Sequence, residues 1–143
     1  MERFKMIASG YVFFIKDYKI LLLKRKNTGY MDGMYGLPSG HIEDNERISQ
    51  GTCREIKEEI GIELKPDDIS LVHIMHRKEK DIRIDFFFLV NKWQGKPINA
   101  EFNKCDGLQW FSFNSLPDNT IPYIKIAIEN FQNKLLYCEI GWE

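Results

Sequence analysis

Between Gly40 and Ile62 the chain reads G-HIEDN-E-RISQGTC-R-E-I-K-E-E-I-G-I, and no other stretch limits the fold so closely. The spacing predicts a helix from about Asn45 to Ile60. Asp44 or Asn45 is placed to cap its start, and Gly61 to end it in the left-handed conformation that glycine tolerates best. At about 100° per residue, Glu55, Glu58 and Glu59 fall within one arc, while Thr52, Cys53, Ile56 and Ile60 fall in another and can face a core. Such a helix has an apolar side that anchors it and an acidic side that faces a cleft. Neighbouring glutamates repel by a few tenths of a kcal/mol per pair, and here they sit near the helix C-terminus, where the macrodipole disfavours negative charge. Divalent cations relieve both costs, and Mg²⁺ or Mn²⁺ suits a set of carboxylate and carbonyl oxygens.

An acidic face on an isolated helix is most simply a solvated surface. What precedes it changes the reading. Pro38-Ser39-Gly40 leads from a strand into a tight turn, and Gly40 suits a place where backbone must approach an ion. Glu46 and Arg54, eight residues apart, share one side of the helix, so Arg54 can pair with one carboxylate while the others bind metal.

The remaining pattern predicts strands at Ile7–Ile15 and Ile20–Leu23 joined as a hairpin, a loop over Asn27–Gly33, and strands at Ile69–His76, Ile82–Val90 and Leu108–Phe113. Asn91–Asn103 is a connecting loop. Ile121, Ile124, Ile128, Phe131 and Leu135 step by three and four residues, which predicts a second amphipathic helix. Strands between two helices imply an α/β sandwich. At 143 residues without repeat or linker, the chain is expected to form one domain over residues 1–143.

The net charge of −1 gives no basic surplus for a nucleic-acid polymer. No apolar run has the length of a membrane span, and the first residues lack the layout of a signal peptide. Three scattered cysteines (Cys53, Cys105, Cys138) read as reduced thiols of a cytoplasmic protein.

The residues from Gly40 to Ile62 match G-x5-E-x7-R-E-U-x-E-E-x-G-U at every specified position, and in this the chain resembles the Nudix hydrolases. Leu23-Lys24-Arg25-Lys26, Leu37-Pro38-Ser39-Gly40-His41, Trp110-Phe111 and Leu116-Pro117 extend the likeness to small MutT-like members acting on nucleoside triphosphates. The resemblance implies a Nudix α/β/α sandwich with a mixed sheet. It also implies metal-dependent hydrolysis of a nucleoside diphosphate linked to X, foremost a (deoxy)nucleoside triphosphate cut to monophosphate and pyrophosphate. Glu58 and Glu59 would be the principal ligands of Mg²⁺, or Mn²⁺ in its place, with Glu55 a further ligand or the base that activates water. The Ser39 carbonyl beside Gly40 would complete the set, and Arg54 would orient Glu55 with Glu46 closing the ion pair. Many members add a carboxylate from a later loop; Glu101 is favoured here, with Asp106 and Asp85 as alternatives.

Arg25 matches a position that contacts substrate phosphates, with Lys24 or Arg77 as further candidates, although Arg77 and Lys78 are more simply solvated. Tyr30, Tyr35 and Phe13 are candidates for stacking on a base. The expected partner is a small nucleotide, bound by a monomer or homodimer. Alternative readings are an ADP-ribose or nucleotide-sugar pyrophosphatase and, in another class, a nucleotide sensor with little turnover; a sensor would be expected to have lost an acidic ligand. An isoprenoid-diphosphate isomerase is disfavoured, because Cys53 falls on the core side of the helix.

Overall fold

A computed structural model describes residues 1–143. Alternation of side chains along two long apolar strands generates a sheet that is buried on both faces. Strand β1 (Ile7–Lys16) turns into β2 (Lys19–Arg25), and the short strands β3 (Tyr35–Gly36) and β4 (Ser39–His41) follow. Helix α1 (Ile48–Ile60) comes next, then β5 (Ser70–Lys78), β6 (Ile82–Val90), β7 (Cys105–Ser112), α2 (Pro122–Gln132) and β8 (Tyr137–Ile140). The sheet runs β3-β2-β1-β6-β5-β8, with β4 added to β1 and β7 to β2. β1 lies parallel to β6 and antiparallel to β4, so the sheet is mixed. This is the expected α/β sandwich.

The period of two divides the core. Val12, Phe14, Leu21 and Leu23 point to one face, where Ile56 and Ile60 of α1 cover them. Tyr11, Phe13, Ile20 and Leu22 point to the other, under Ile124, Ala127 and Ile128 of α2. Each large apolar side chain buried in this way contributes roughly 1.5–3 kcal/mol. Phe13 is fully buried here and stacks on Phe87, so it is core and not a platform for a base.

Two helix boundaries differ from the sequence pattern, β7 starts at Cys105 and not at Leu108, and β3, β4 and β8 are strands that the pattern does not predict. Helix α1 starts at Ile48 with Arg47 as its N-cap, not at Asn45, because Asn45 adopts a left-handed φ of 63°. The Glu46 side chain bends back to accept the Glu43 N–H at 2.7 Å, which closes a turn just ahead of the helix. Helix α2 ends before Leu135, since Lys134 is left-handed with φ 58°. The freed chain forms β8, an edge strand too short and too polar for its alternation to be noticed in the sequence.

Candidate active site

Gly61 ends α1 at φ 71°, donating its N–H to the Lys57 carbonyl at 3.0 Å. The chain after β6 then returns over this end: Ile98 N–H donates to the Ile60 carbonyl at 2.9 Å and Ala100 N–H to the Glu59 carbonyl at 3.1 Å. These bonds satisfy carbonyls that a helix terminus leaves free, and they carry Glu101 to the acidic side of α1.

Glu55, Glu59 and Glu101 line a single cavity of about 570 Å³ together with Ser39 and Gly40. A Cβ on Gly40 would stand 2.1 Å from Glu55 Cγ, so the glycine is needed for the side chain of Glu55 to pass. Glu59 Oε1 accepts the Ser39 N–H at 2.9 Å. Burial, reinforced by repulsion from Glu101 and Glu55, raises the Glu59 carboxyl to about 8 against the lowering effect of that hydrogen bond. Burial also raises Glu55, with Arg54 pulling the other way.

Arg54 is the organiser of the wall. Its Nε and Nη2 donate to Glu46 at 3.1 and 2.9 Å, Nη2 also to the His41 carbonyl at 3.2 Å, and Nη1 to Glu55 at 3.0 Å and Glu58 at 3.3 Å. Hydrogen bonds from Arg54 and the Glu43 N–H hold the Glu46 carboxyl down at about 2. Glu46 reaches Arg54 from the turn before the helix and not from the helix itself. Glu58 lies on the solvent side of Arg54, exposed and outside the cavity lining, unlike Glu55 and Glu59.

Cations line the same cavity. Arg25 Nε donates to the Tyr30 carbonyl at 2.8 Å and Nη2 to Thr28 Oγ1 at 3.2 Å. These fix the guanidinium without pairing it to a carboxylate. Lys24 and Lys104 line the same space. Tyr30 lines the cavity, with its hydroxyl donating to Glu79 at 2.9 Å. Tyr35 does not: its ring meets Phe111 edge-on at 5.0 Å, outside the lining.

Of the candidate late carboxylates, only Glu101 reaches the cavity. Asp106 is exposed, and Asp85 is fully buried in an ion pair with Arg77, Nε to Oδ2 at 2.8 Å. Arg77 is therefore not the solvated cation that its place near a strand end suggested; it is 2% exposed and lines the cavity. Sequence reasoning missed Ser9, Tyr11, Arg83 and Tyr123, which line it too. The one available signal was charge on a face of β6 that is otherwise apolar, where Arg83 and Asp85 share their side of the strand with Phe87 and Leu89.

The donor set suits a hard divalent ion. Three carboxylates line one space beside Ser39 and Gly40, and the repulsion that Glu101 and Glu55 exert on Glu59 is a cost that a cation between them removes. No three His, Cys, Asp or Glu side chains converge on one point, so the carboxylates share a wall and not a closed cage.

The model of the NUDIX domain matches residues 5–131. The chain is 34% identical over 117 residues to the ADP-ribose pyrophosphatase of Methanocaldococcus jannaschii, covering 78% of this chain and 64% of that protein. It is 32% identical over 108 residues to the 8-oxo-dGTP diphosphatase of Escherichia coli, covering 75% and 80%. Among solved structures, the MutT NUDIX hydrolase from Burkholderia pseudomallei superposes with a TM-score of 0.80 at 27% identity, covering 87% of this chain and 97% of that one.

Proposed function

This chain belongs to the NUDIX family and is a pyrophosphohydrolase, and we propose that it splits a (deoxy)nucleoside triphosphate into the monophosphate and pyrophosphate with Mg²⁺ bound. The observation that carries the reading is one cavity lined both by Glu55, Glu59 and Glu101 and by the cations Arg25, Lys24 and Lys104, which are not paired to carboxylates. That layout matches a polyphosphate held between metal and base-rich protein.

Glu59, Glu55, Glu101 and the Ser39 carbonyl would hold the ion, and Glu58 would join them by giving up its 3.3 Å contact with Arg54. The bound ion would supply charge neutralisation at the phosphoryl oxygens and a more acidic water. Arg54 holds Glu55 by one hydrogen bond, leaving its other oxygen free to orient a water or take its proton. Arg25 and the lysines neutralise charge on the phosphates, which is much of what phosphoryl transfer demands of a protein. Residues 1–143 act as one domain in this reading, and the proposed compartment is the cytoplasm.

The 34% identity to a protein named ADP-ribose pyrophosphatase supports a second substrate class. Pyrophosphate release from a panel of nucleoside triphosphates, set beside the phosphate that added alkaline phosphatase frees from the nucleoside monophosphate and sugar phosphate produced from ADP-ribose and nucleotide sugars, in Mg²⁺ and in Mn²⁺, decides between them. Pyrophosphate from a triphosphate supports the proposal; turnover of ADP-ribose alone refutes it.

A further inference from the structure

Strand register gathers a second polar group in the part of the cavity beside the first turn of α2. Ser9 on β1 pairs across with Asp85 on β6 and with His41 on β4, while Arg83 on β6 pairs with Arg77 on β5. Arg77 stands over the Tyr123 ring with 3.6 Å to its centroid. Its Nε is taken by Asp85 and its Nη1 by Glu79, but Nη2 has only a long 3.5 Å contact to Asp85 Oδ1. Ser9 Oγ and Arg83 Nε are buried and have no hydrogen-bond partner. Buried polar atoms are almost always paired, so three under-used groups at one cavity corner mark a place where something binds.

The unused atoms are mostly donors: arginine N–H groups cannot accept, and Ser9 Oγ can do either. A ligand must therefore present acceptors. The corner has no surplus of positive charge to attract a phosphate, since Arg77 and Arg83 are answered by Asp85, Glu79 and Asp81. The cations free of carboxylates are Arg25, Lys24 and Lys104, by the acidic wall. Neutral acceptors beside the tyrosine rings of Tyr11 and Tyr123 describe the carbonyl edge of a nucleobase.

We propose that Arg77, held in place by Asp85, together with Arg83 and Ser9 selects nucleotides whose base carries an oxo group over those with an amino group at the same position. This rests on the nucleotide-hydrolase reading above. An oxo base offers acceptors to the arginine donors, whereas an amino base sets donor against donor and leaves both unpaired, a mismatch that sites of this kind reject strongly. Arginine paired to a base acceptor edge is a frequent means of discrimination.

The test is titration calorimetry with two pairs of monophosphates differing at one substituent, IMP against AMP and UMP against CMP, in wild type, Arg77→Lys, Arg83→Gln and Ser9→Ala. In whichever series the cavity accepts, the oxo member is expected to bind at least tenfold more tightly. That ratio is expected to fall toward one in Arg77→Lys and in Arg83→Gln, which keeps the test open should the buried Arg77 variant fail to fold. Equal affinities in wild type, variants that weaken all four ligands alike, or no measurable binding would each overturn the proposal. The same ratio in kcat/KM for the matching triphosphates separates the two readings. Oxo-selective binding without triphosphate turnover sinks only the hydrolase proposal; turnover without selectivity sinks only this one.

Discussion

Glu59→Gln removes one negative charge from the acidic wall while keeping an oxygen that can accept the Ser39 N–H, bonded at 2.9 Å in the native protein. The folded carboxyl titrates at about 8 against 4.5 for the free side chain. Because the folded value is the higher, the protonated form favours folding: its contribution is full below about pH 4.5 and is lost as pH rises through 8. At 1.36 kcal/mol per pH unit, the interval from 4.5 to about 8 sets a ceiling of about 5 kcal/mol on the cost of ionised Glu59. Water entering the cleft screens part of this, and a gain of about 2 kcal/mol for the variant is the expected value. For a chain of 143 residues that corresponds to roughly 6 °C in Tm.

Differential scanning calorimetry in EDTA should therefore show Glu59→Gln more stable than wild type at pH 8 and the gap closing toward pH 4.5. Saturating Mg²⁺ should raise the wild-type Tm and move the variant little, reducing or reversing the order, and turnover of the variant should fall by orders of magnitude. A variant less stable than wild type at pH 8 in EDTA would refute the claim that this carboxylate stands in a repulsive, desolvated place. Equal Mg²⁺ stabilisation of both would refute its part in holding the ion.

Glu46 has the opposite sign: its folded carboxyl sits at about 2, below the free value of 4.5, so its contribution is present above 4.5 and is lost as pH falls toward 2. Acid titration of Glu46→Gln should lack this component, and kcat should drop about tenfold because Arg54 no longer holds Glu55 in position; an unchanged acid limb counts against the pairing. Gly40→Ala places a methyl 2.1 Å from Glu55 Cγ, so it should cost about 1–3 kcal/mol in urea unfolding and at least tenfold in kcat, and normal activity would show that Glu55 can move freely. Arg25→Gln should raise KM for a triphosphate at least tenfold at nearly unchanged Tm; an unaltered KM would remove it from phosphate binding. Ile56→Ala, fully buried on the core face of α1, should cost about 2–5 kcal/mol, read from the urea midpoint, and a loss under 1 kcal/mol would contradict the packing described.

How much of this was legible depends on the range of the forces involved. Helix α1 and its two faces followed from the 100° repeat, and Gly61 from a left-handed stop, because both are set by neighbours three and four residues away. The strands β1, β2 and β6 were readable for a similar reason, since burial on two faces writes a nearly continuous apolar run into β1 and β2, and the polar positions Arg83 and Asp85 add an alternation in β6. The same local logic joined Glu46 to Arg54, although it placed Glu46 on the helix and the structure places it in a turn. What sequence could not give was any contact made by folding the chain back on itself. Glu101 reaches Glu59 through two backbone bonds across some forty residues of intervening chain, so three acidic candidates looked alike until Asp85 met Arg77 and Asp106 met solvent. Tyr35 and Phe13 were both candidates for stacking on a base, and only packing showed Phe13 to be core against Phe87 and Tyr35 to lie half-buried against Phe111, outside the cavity lining. Arg77 read as a surface cation because burial of a charge is allowed only with its partner in place, and that partner sits on the neighbouring strand. The sequence by itself determined the reaction class, since the residues of the Nudix pattern all lie in the one local stretch from Gly40 to Ile62; the tertiary structure alone decided what lines the rest of the cavity, because its walls come from seven strands and two helices that meet only in the folded chain.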